Sequence, residues 1–290
     1  MRSGRTRVEG VDLYYEVRGD GGSPVLLIPG ANGDGDSYAA VADLLCDEFT
    51  VITYDRRANA RSVAAGPINF EMSQQARDVA AVLDAAHQTG AAIVGSSSGG
   101  AIALAFALAF PHATRALIIH EPPLARLHPK SRRWQRFFAG VYQTSLWLGP
   151  AIGGIRFIVG IRVPVRRLVA AHRQAVRYAQ DHPIPGPIQP RVSAADGIRV
   201  LLSHELLPVT NFLPDLDELR ARQTLTVVAV SEMALEKSTW LAVITRVLSD
   251  RLACQLSVAP GHHGSYEDVP DEWAAWLRTT LRNVQPPGSA

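Results

Sequence analysis

The chain reads AAIVGSSSGG at residues 91–100, and this stretch decides the fold. A short apolar segment, Ala91 to Val94, leads into the glycines and serines, and an apolar run from Ala101 to Phe110 follows. This order predicts a strand, a sharp turn and a helix, which is the setting that a G-x-S-x-G nucleophile elbow requires. A glycine two residues before the central serine and another two residues after it leave space for the tight turn.

Three consecutive serines compete for the central position of this motif. Gly95 and Gly99 frame Ser97, whereas a frame centred on Ser98 would put Ser96 where the turn needs glycine. We therefore predict Ser97 as the nucleophile. Ser98 is expected at the first turn of the helix, where its N–H would help to bind a developing oxyanion. The motif alone leaves open a serine- and glycine-rich turn without chemistry.

Length and composition limit the class of protein. The 290 residues are enough for one large α/β domain or for a core with an inserted subdomain, and the hydrophobic fraction of 47% supports a sizeable core. No charge-free apolar stretch of about 18 residues indicates a membrane span. No apolar segment follows the basic N-terminus as it would in a secretory signal. Cys46 and Cys254 lie far apart without a metal-binding spacing, so we expect a cytoplasmic protein without metal or cofactor.

Positive charge is concentrated in one segment of the chain. Residues 125–192 contain 12 arginines and lysines and one acidic residue, whereas the whole chain has a net charge of +2. We interpret this excess as a solvated polar face. The less favoured alternative is attraction to an anionic membrane surface or to an acidic substrate such as a CoA thioester. Nucleic-acid binding is not expected, because no reading module is visible and the remainder of the chain is acidic.

Strand and helix patterns alternate on both sides of this basic segment. The alternation reaches a strand at residues 116–120 and resumes with a strand at residues 225–230. Near-continuous apolar strands that alternate with helices predict an α/β fold with a mostly parallel, doubly wound sheet covered on both faces. The predicted organisation is a core of residues 1–121 and 218–284, a helical insertion of residues 122–217, and a disordered tail of residues 285–290.

Several landmarks resemble the α/β-hydrolase fold enzymes over nearly the whole chain outside the insertion. They come in the order and spacing of that family: LIPGA at 27–31, YDRRANARS at 54–62, the elbow at 95–100, PHA at 111–113 and PGHHG at 260–264. The resemblance implies a parallel sheet with a cap inserted after its sixth strand, covering the active site. It also implies a catalytic triad of serine, histidine and a carboxylate.

The resemblance places the histidine of the triad in the loop after the last strand. Two neighbours compete there, His262 and His263, after Pro260 and Gly261. A Gly-x-His frame is similar to the one in related members and favours His263, which we predict as the general base. Such a base must lie within hydrogen-bond reach of the serine, because a hydroxyl is a weak nucleophile near neutral pH.

The carboxylate departs from the commonest pattern of the family. Most members carry an aspartate shortly after the strand predicted at 225–230, but this chain has Ala234 at that position. Some relatives, including certain haloalkane dehalogenases and lactonases of the zearalenone-hydrolase type, take the acid from the end of the preceding core strand. Glu121, between an apolar strand and two prolines, occupies that place. We predict Glu121 as the acid and keep Glu232 as the alternative.

Two loops complete the implied site. The resemblance assigns the N–H groups of the oxyanion hole to Ala31 and Ser98. After the fourth strand, the Gly-His-Gly frame of the family is replaced by Ala58, Asn59 and Ala60. Because alanine tolerates a positive φ poorly, we expect this loop to follow a path different from that of the family.

The predicted activity is hydrolysis of a carboxylic ester or lactone of a hydrophobic substrate, through a Ser-His-Glu triad and an acyl-enzyme. The position of Glu121 favours a lactone or a bulky ester. A thioesterase, a C–C hydrolase and a non-catalytic ligand-binding protein are the alternatives. The apolar run from Leu146 to Val165 is expected to form the core of the insertion or the face of a homodimer.

Overall fold

The computed structural model describes residues 1–31, 33–64, 66, 68–161, 165–185 and 190–284. The predicted tail, residues 285–290, lies outside this range. Among the described residues, no helix is both long and apolar enough to cross a membrane.

Eight strands form one central sheet, in the order β1-β2-β4-β3-β5-β6-β7-β8. The pairs β1–β2 and β2–β4 are antiparallel, and the other neighbouring strands are parallel. The predicted α/β fold with a mostly parallel sheet is therefore confirmed. The strands are β1 Arg2–Val8, β2 Val11–Arg18, β3 Pro24–Ile28, β4 Thr50–Tyr54, β5 Ala91–Ser96, β6 Thr114–His120, β7 Leu225–Ser231 and β8 Leu256–Ala259.

The helices either cover the two faces of this sheet or belong to the insertion between β6 and β7. They are α1 Ala39–Leu45, α2 Met72–Ala85, α3 Ser98–Ala109, α4 Ser131–Leu148, α5 Pro150–Ile161, α6 Val165–Asp181, α7 Ala194–Val200, α8 Leu206–Thr210, α9 Leu216–Ala221, α10 Glu232–Glu236, α11 Trp240–Leu252, α12 Ser265–Asp268 and α13 Pro270–Val284. A π-helical turn, Leu201–Glu205, joins α7 to α8.

The apolar residues of the central strands point alternately to the two faces. Leu26 and Ile28 of β3 belong to a hydrophobic cluster that includes residues of α2, α3 and α11. Val25 and Leu27 of the same strand belong to a second cluster, which includes residues of α1 and α13. Successive side chains of a strand point in opposite directions, so a continuous apolar run is what a strand between two helical layers requires.

The helical insertion lies between β6 and β7, as predicted, and comprises α4 to α8 together with the π-helical turn. The boundary expected at residues 217 and 218 falls within α9. The insertion follows the carboxyl end of β6, and the chain then returns to the amino end of β7, which runs parallel to β6. The insertion therefore begins at the edge formed by the carboxyl ends of the parallel strands, where α/β sites form.

The loop after β4 differs from what the sequence indicated. Ala58 and Ala60 adopt φ values of 60° and 42°, so the premise that alanine would avoid a positive φ here is wrong. The buried guanidinium of Arg61 forms ion pairs with Asp36 and Asp55 at 2.7 and 2.6 Å. Contacts of this kind hold a backbone in a conformation that its residues would otherwise disfavour.

Candidate active site

The turn between β5 and α3 holds Ser97 in an unusual backbone conformation, with φ of 55° and ψ of −124°. A Cβ atom on Gly95 would lie 2.2 Å from the carbonyl oxygen of Gly99, and one on Gly99 would lie 2.2 Å from that of Ile28. Only glycine fits at either position. The Ser97 N–H donates to the carbonyl oxygen of His120 at 2.8 Å. Strain held in this way is typical of functional sites, and the geometry is what the elbow motif requires.

The backbone N–H groups of Ala31 and Ser98 lie near Ser97 and donate no hydrogen bond to another backbone group of the described residues. Ser98 begins α3, and the first N–H groups of a helix have no partner inside it. Ala31 follows Gly30, whose carbonyl oxygen accepts a hydrogen bond from Arg56 Nη2 at 2.5 Å. The C=O and N–H of a trans peptide point in opposite directions, so this bond turns the Ala31 N–H away from Arg56.

The two neighbouring histidines have different partners. His263 Nδ1 lies 2.5 Å from Glu121 Oε2, and the imidazole lines the same cavity as Ser97. His262 is buried, and its Nε2 lies 2.9 Å from Asp268 Oδ2. The structure thus brings His263, rather than His262, together with Ser97 and Glu121. No hydrogen bond joins the described side chains of Ser97 and His263, and such catalytic bonds often tighten only in the substrate complex.

Glu121 is completely buried between the ends of β6 and β7. Its Oε1 accepts hydrogen bonds from the N–H of Ser231 at 2.9 Å and from the Ser231 hydroxyl at 2.7 Å. Burial alone would raise the pKa of this carboxyl, but the hydrogen bond from His263, the electrostatic influence of the two neighbouring imidazoles and the hydrogen bond from Ser231 together lower the pKa to about 2. The ionised carboxylate therefore accepts the Nδ1–H of His263, so that Nε2 is the ring nitrogen available for proton transfer.

The alternative acid, Glu232, has a different position. It is exposed at the start of α10, and its Oε2 accepts the N–H of Gly261 at 2.9 Å. Glu232 therefore holds the loop that carries His263 through a backbone contact, while the imidazole itself is bound by Glu121.

A second imidazole, to which the sequence analysis gave no role, lies beside His263. His120 is completely buried, its Nδ1 is 2.8 Å from Ser96 Oγ, and its ring stacks on that of His263 with centroids 5.9 Å apart. Burial lowers the pKa of His120 to about 4, so the ring is neutral at neutral pH. A histidine that ends an apolar strand directly before Glu121 was the available signal.

His120, Glu121 and His263 place ligand-type atoms within 4.8 Å of one another. Two ligands of one tetrahedral zinc ion, each about 2.0 Å from the metal, lie roughly 3.3 Å apart. The 2.5 Å contact between Glu121 and His263 is shorter, which indicates a direct hydrogen bond between the two side chains and leaves no room for a shared metal ion. These residues therefore suit proton transfer better than binding of a shared ion.

A cavity of about 140 Å³ lies between the core and the insertion. Ala31, Ser97, Ser98 and His263 contribute to its wall, and so do the polar residues Glu205 and Thr210. Apolar side chains from the core and the insertion provide the rest of the lining: Pro123, Phe138, Phe157, Ile161, Leu168, Leu201, Leu206, Val209, Trp240 and Leu241.

Glu205 and Arg56 form a completely buried ion pair at this cavity, and neither residue is among the site residues predicted from the sequence. Arg56 Nη2 lies 3.0 Å from each oxygen of the Glu205 carboxylate, and the same atom donates to the carbonyl of Gly30. The pair therefore connects the π-helical turn of the insertion to the segment that carries Ala31. A single carboxylate within the largely apolar run 200–209 was the signal that could have indicated it.

Comparisons with known proteins agree with this architecture. Residues 23–146 match the family model of the alpha/beta hydrolase fold. The uncharacterized hydrolase YraK of Bacillus subtilis (strain 168) is 35% identical over 128 residues, which make up 44% of this chain and 47% of that relative. The chain thus matches about half the length of this curated relative.

Two solved structures are similar to the chain over nearly its whole length. A thermophilic esterase from Thermogutta terrifontis has a TM-score of 0.71 at 23% identity, covering 98% of this chain and 99% of that one. Est816, an N-acyl homoserine lactone degrading enzyme, has a TM-score of 0.68 at 20% identity, covering 95% and 99%. Identities this low concern the fold alone. With the matching family model, the sheet order and the elbow after β5, they show that the chain has the α/β-hydrolase fold.

Proposed function

We propose that the protein is a serine hydrolase that cleaves a carboxylic ester or lactone of a hydrophobic substrate. The observation that carries this proposal is the contact between the buried carboxylate of Glu121 and His263, whose ring shares a cavity with Ser97. A buried carboxylate fixes the tautomer of a catalytic histidine and stabilises the imidazolium that forms during the reaction.

In the proposed reaction, Ser97 Oγ attacks the substrate carbonyl while His263 Nε2 accepts the hydroxyl proton. The N–H groups of Ala31 and Ser98 bind the oxyanion of the tetrahedral intermediate. The intermediate collapses to an acyl-enzyme, and His263 returns the proton to the leaving alcohol. Water, deprotonated by His263, then releases the acid product and restores Ser97.

The cavity supports a compact hydrophobic group next to the reacting carbonyl. Its volume of about 140 Å³ is close to the roughly 150 Å³ of an engineered apolar cavity that holds benzene. Its lining is mostly aliphatic and aromatic, which favours an apolar acyl or alcohol part. A short ester or small lactone fits this space better than the bulky ester that the position of Glu121 suggested.

The insertion is proposed to act as a cap over this cavity. Phe138, Phe157 and Ile161 from α4 and α5 form part of the wall opposite the elbow. Closing a site against water strengthens the electrostatic interactions within it. The solved esterase and the lactone-degrading enzyme described above support the choice of reaction class by analogy.

A series of p-nitrophenyl esters with increasing acyl length, together with a set of lactones, tests this proposal. We expect turnover of acetate and butyrate esters, weak turnover of long-chain esters, and no turnover of any of them by Ser97→Ala. Folded wild-type protein that hydrolyses no ester or lactone would contradict the proposal, as would full activity in Ser97→Ala.

A further inference from the structure

The insertion carries an exposed apolar surface on its outer side, at the hairpin formed by α4 and α5. Trp147, near the end of α4, is 79% exposed, and Ile155 and Val159 of α5 are 63% and 71% exposed. Leu146 and Leu148 are exposed as well. A contiguous apolar patch beyond a few hundred Å² is rare on a monomeric soluble protein and marks an interaction site. Because they are exposed and do not line the cavity, these residues are not part of the core of the insertion.

Helix α5 is apolar on nearly all sides. Phe157 and Ile161 line the cavity on its inner face. Ile152, Ile155 and Val159 recur at i, i+3 and i+7 and so share the outer face, where all three are exposed. A helix that is hydrophobic all round is ordinarily covered on every side. With 12 residues, α5 is well short of the roughly 20 that a membrane span needs.

Close packing brings the apolar ends of the two helices together. A Cβ on Gly153 of α5 would lie 2.7 Å from the Cβ of Ser145 in α4, so the helices touch at backbone distance there. Leu146, Trp147 and Leu148 follow Ser145 directly and lie beside the first turn of α5. The tip of the hairpin is thus rich in exposed apolar side chains, of which that of Trp147 is the most exposed.

The charges on this surface are all positive. Arg132, Arg136 and Trp147 are spaced by 4 and 11 residues, which keeps them on one exposed side of α4. Arg156 is exposed among the apolar residues of α5. The sequence contains no acidic residue between Glu121 and Asp181. A ligand for this surface must therefore offer both apolar groups and negative charge.

We propose that the outer side of the α4–α5 hairpin docks on the surface of an anionic phospholipid membrane. Trp147 and the neighbouring leucines would insert at the level of the headgroups, where aromatic side chains are enriched. The arginines of α4 and α5 would contact lipid phosphates. A second copy of the chain suits this surface less well, because a two-fold interface would oppose the arginines of both copies without a carboxylate between them. Docking does not depend on the proposed hydrolase activity.

Co-sedimentation with phospholipid vesicles tests the proposal, using the full chain and its Ser97→Ala variant. Both should bind vesicles of phosphatidylcholine mixed with phosphatidylglycerol, bind poorly to phosphatidylcholine alone, and be released by high salt. Trp147→Asp should weaken the partition by at least about tenfold. The matched control is Leu213→Asp, at a loop residue that is 47% exposed outside the hairpin, and it should bind like the wild type.

Tryptophan fluorescence adds a local readout. The emission of the wild type should move to shorter wavelength on binding, and this shift should be lost in Trp147→Phe although that variant still binds. Absence of vesicle binding by folded protein would overturn the proposal, as would equal binding of Trp147→Asp. Concentration-dependent dimerisation without vesicle binding, if abolished by Trp147→Asp, would assign the surface to a second copy and overturn lipid docking.

Discussion

The imidazole of His263 is bound through Nδ1 to Glu121, with 2.5 Å between Nδ1 and Oε2, and this acid comes from the end of β6. Ser231, the last residue of β7, donates two hydrogen bonds to the same carboxylate. The end of β6 thus provides the negative charge beside His263, and the end of β7 provides the hydrogen bonds that stabilise this charge.

Replacement of Glu121 tests this arrangement. Glu121→Gln should lower kcat by roughly 10³ to 10⁴, because an amide at this position favours the wrong tautomer of His263. Glu232→Gln is the matched control and should have little effect, since the amide oxygen can still accept the N–H of Gly261. Steady-state kinetics with a short ester, at matched thermal stability, distinguish the two. A comparable loss in Glu232→Gln would transfer the role of the acid to that residue.

The ion pair of Arg56 and Glu205 provides a second test, which concerns the proposed oxyanion hole. Arg56→Lys should lower kcat by about ten- to a hundredfold with little change in KM, because the shorter side chain cannot hold the Gly30 carbonyl and the Ala31 N–H becomes mobile. This loss of kcat should be smaller than the loss caused by deletion of an oxyanion donor. The value of kcat and the affinity for a boronic acid inhibitor should fall together.

A neighbouring arginine provides the control for this experiment. Arg57, which follows Arg56 in the same loop, forms a buried ion pair with Asp78 of α2 at 2.5 Å, and it makes no hydrogen bond to Gly30. Arg57→Lys should therefore lower the free energy of unfolding without changing kcat. If both arginine variants reduce kcat equally, the loop as a whole matters and the specific role of Arg56 is contradicted.

Stability should depend on pH through the contact between α6 and α12. His172 Nδ1 lies 3.1 Å from Glu267 Oε1, and this hydrogen bond raises the pKa of His172 above its usual value. A group with a raised folded-state pKa stabilises the protein fully below its unfolded pKa, near 6.5, and loses that contribution as pH rises through the folded pKa. His172→Gln should therefore lower the free energy of unfolding at about pH 6 and leave it unchanged at about pH 9.

The size of this effect is limited by solvent. The His172 side chain is 33% exposed, so the loss should stay below about 1 kcal/mol. Urea unfolding of the wild type and the variant at both pH values measures it. A loss that is equal at the two pH values would show that the contact does not depend on the charge of His172.

One backbone position offers a gain in stability. Ala253 ends α11 with φ of 51° and is exposed, and this left-handed conformation favours glycine. Ala253→Gly should raise the free energy of unfolding by about 0.5–1 kcal/mol. The same change at Ala275, exposed within α13, should lower it by about 1 kcal/mol. Thermal unfolding measures both changes, and we expect a gain in stability for Ala253→Gly and a loss for Ala275→Gly. A loss of stability in both variants would refute the argument.

The sheet was predictable where strands are buried on both faces. The strands predicted at 116–120 and 225–230 are found at Thr114–His120 and Leu225–Ser231. They were predictable because a short continuous apolar run is typical of a strand that is buried on both faces of a sheet. β1 was not predicted. Its residues, RSGRTRV, lack an apolar pattern, and they form a strand because they pair with β2 along its whole length.

Some residues of the candidate site were likewise predictable from the sequence, and others were not. The structure brings together Ser97, His263 and Glu121, which the sequence indicated by motif, order and strand position. Arg56 and Glu205 were not foreseen, because their contact joins residues 149 positions apart in the chain and neither belongs to a motif. The supporting role of Ser231 likewise depends on the register between β6 and β7, which a single sequence does not reveal.

The central claim is that Ser97 is an activated nucleophile, and labelling with a fluorophosphonate probe tests it most directly. Intact-protein mass spectrometry of the labelled wild type should show a single adduct, and Ser97→Ala should show none. A small probe is needed so that it can enter a cavity of about 140 Å³. A folded wild type that remains unlabelled, or a Ser97→Ala variant that is labelled as fully as the wild type, would contradict the account.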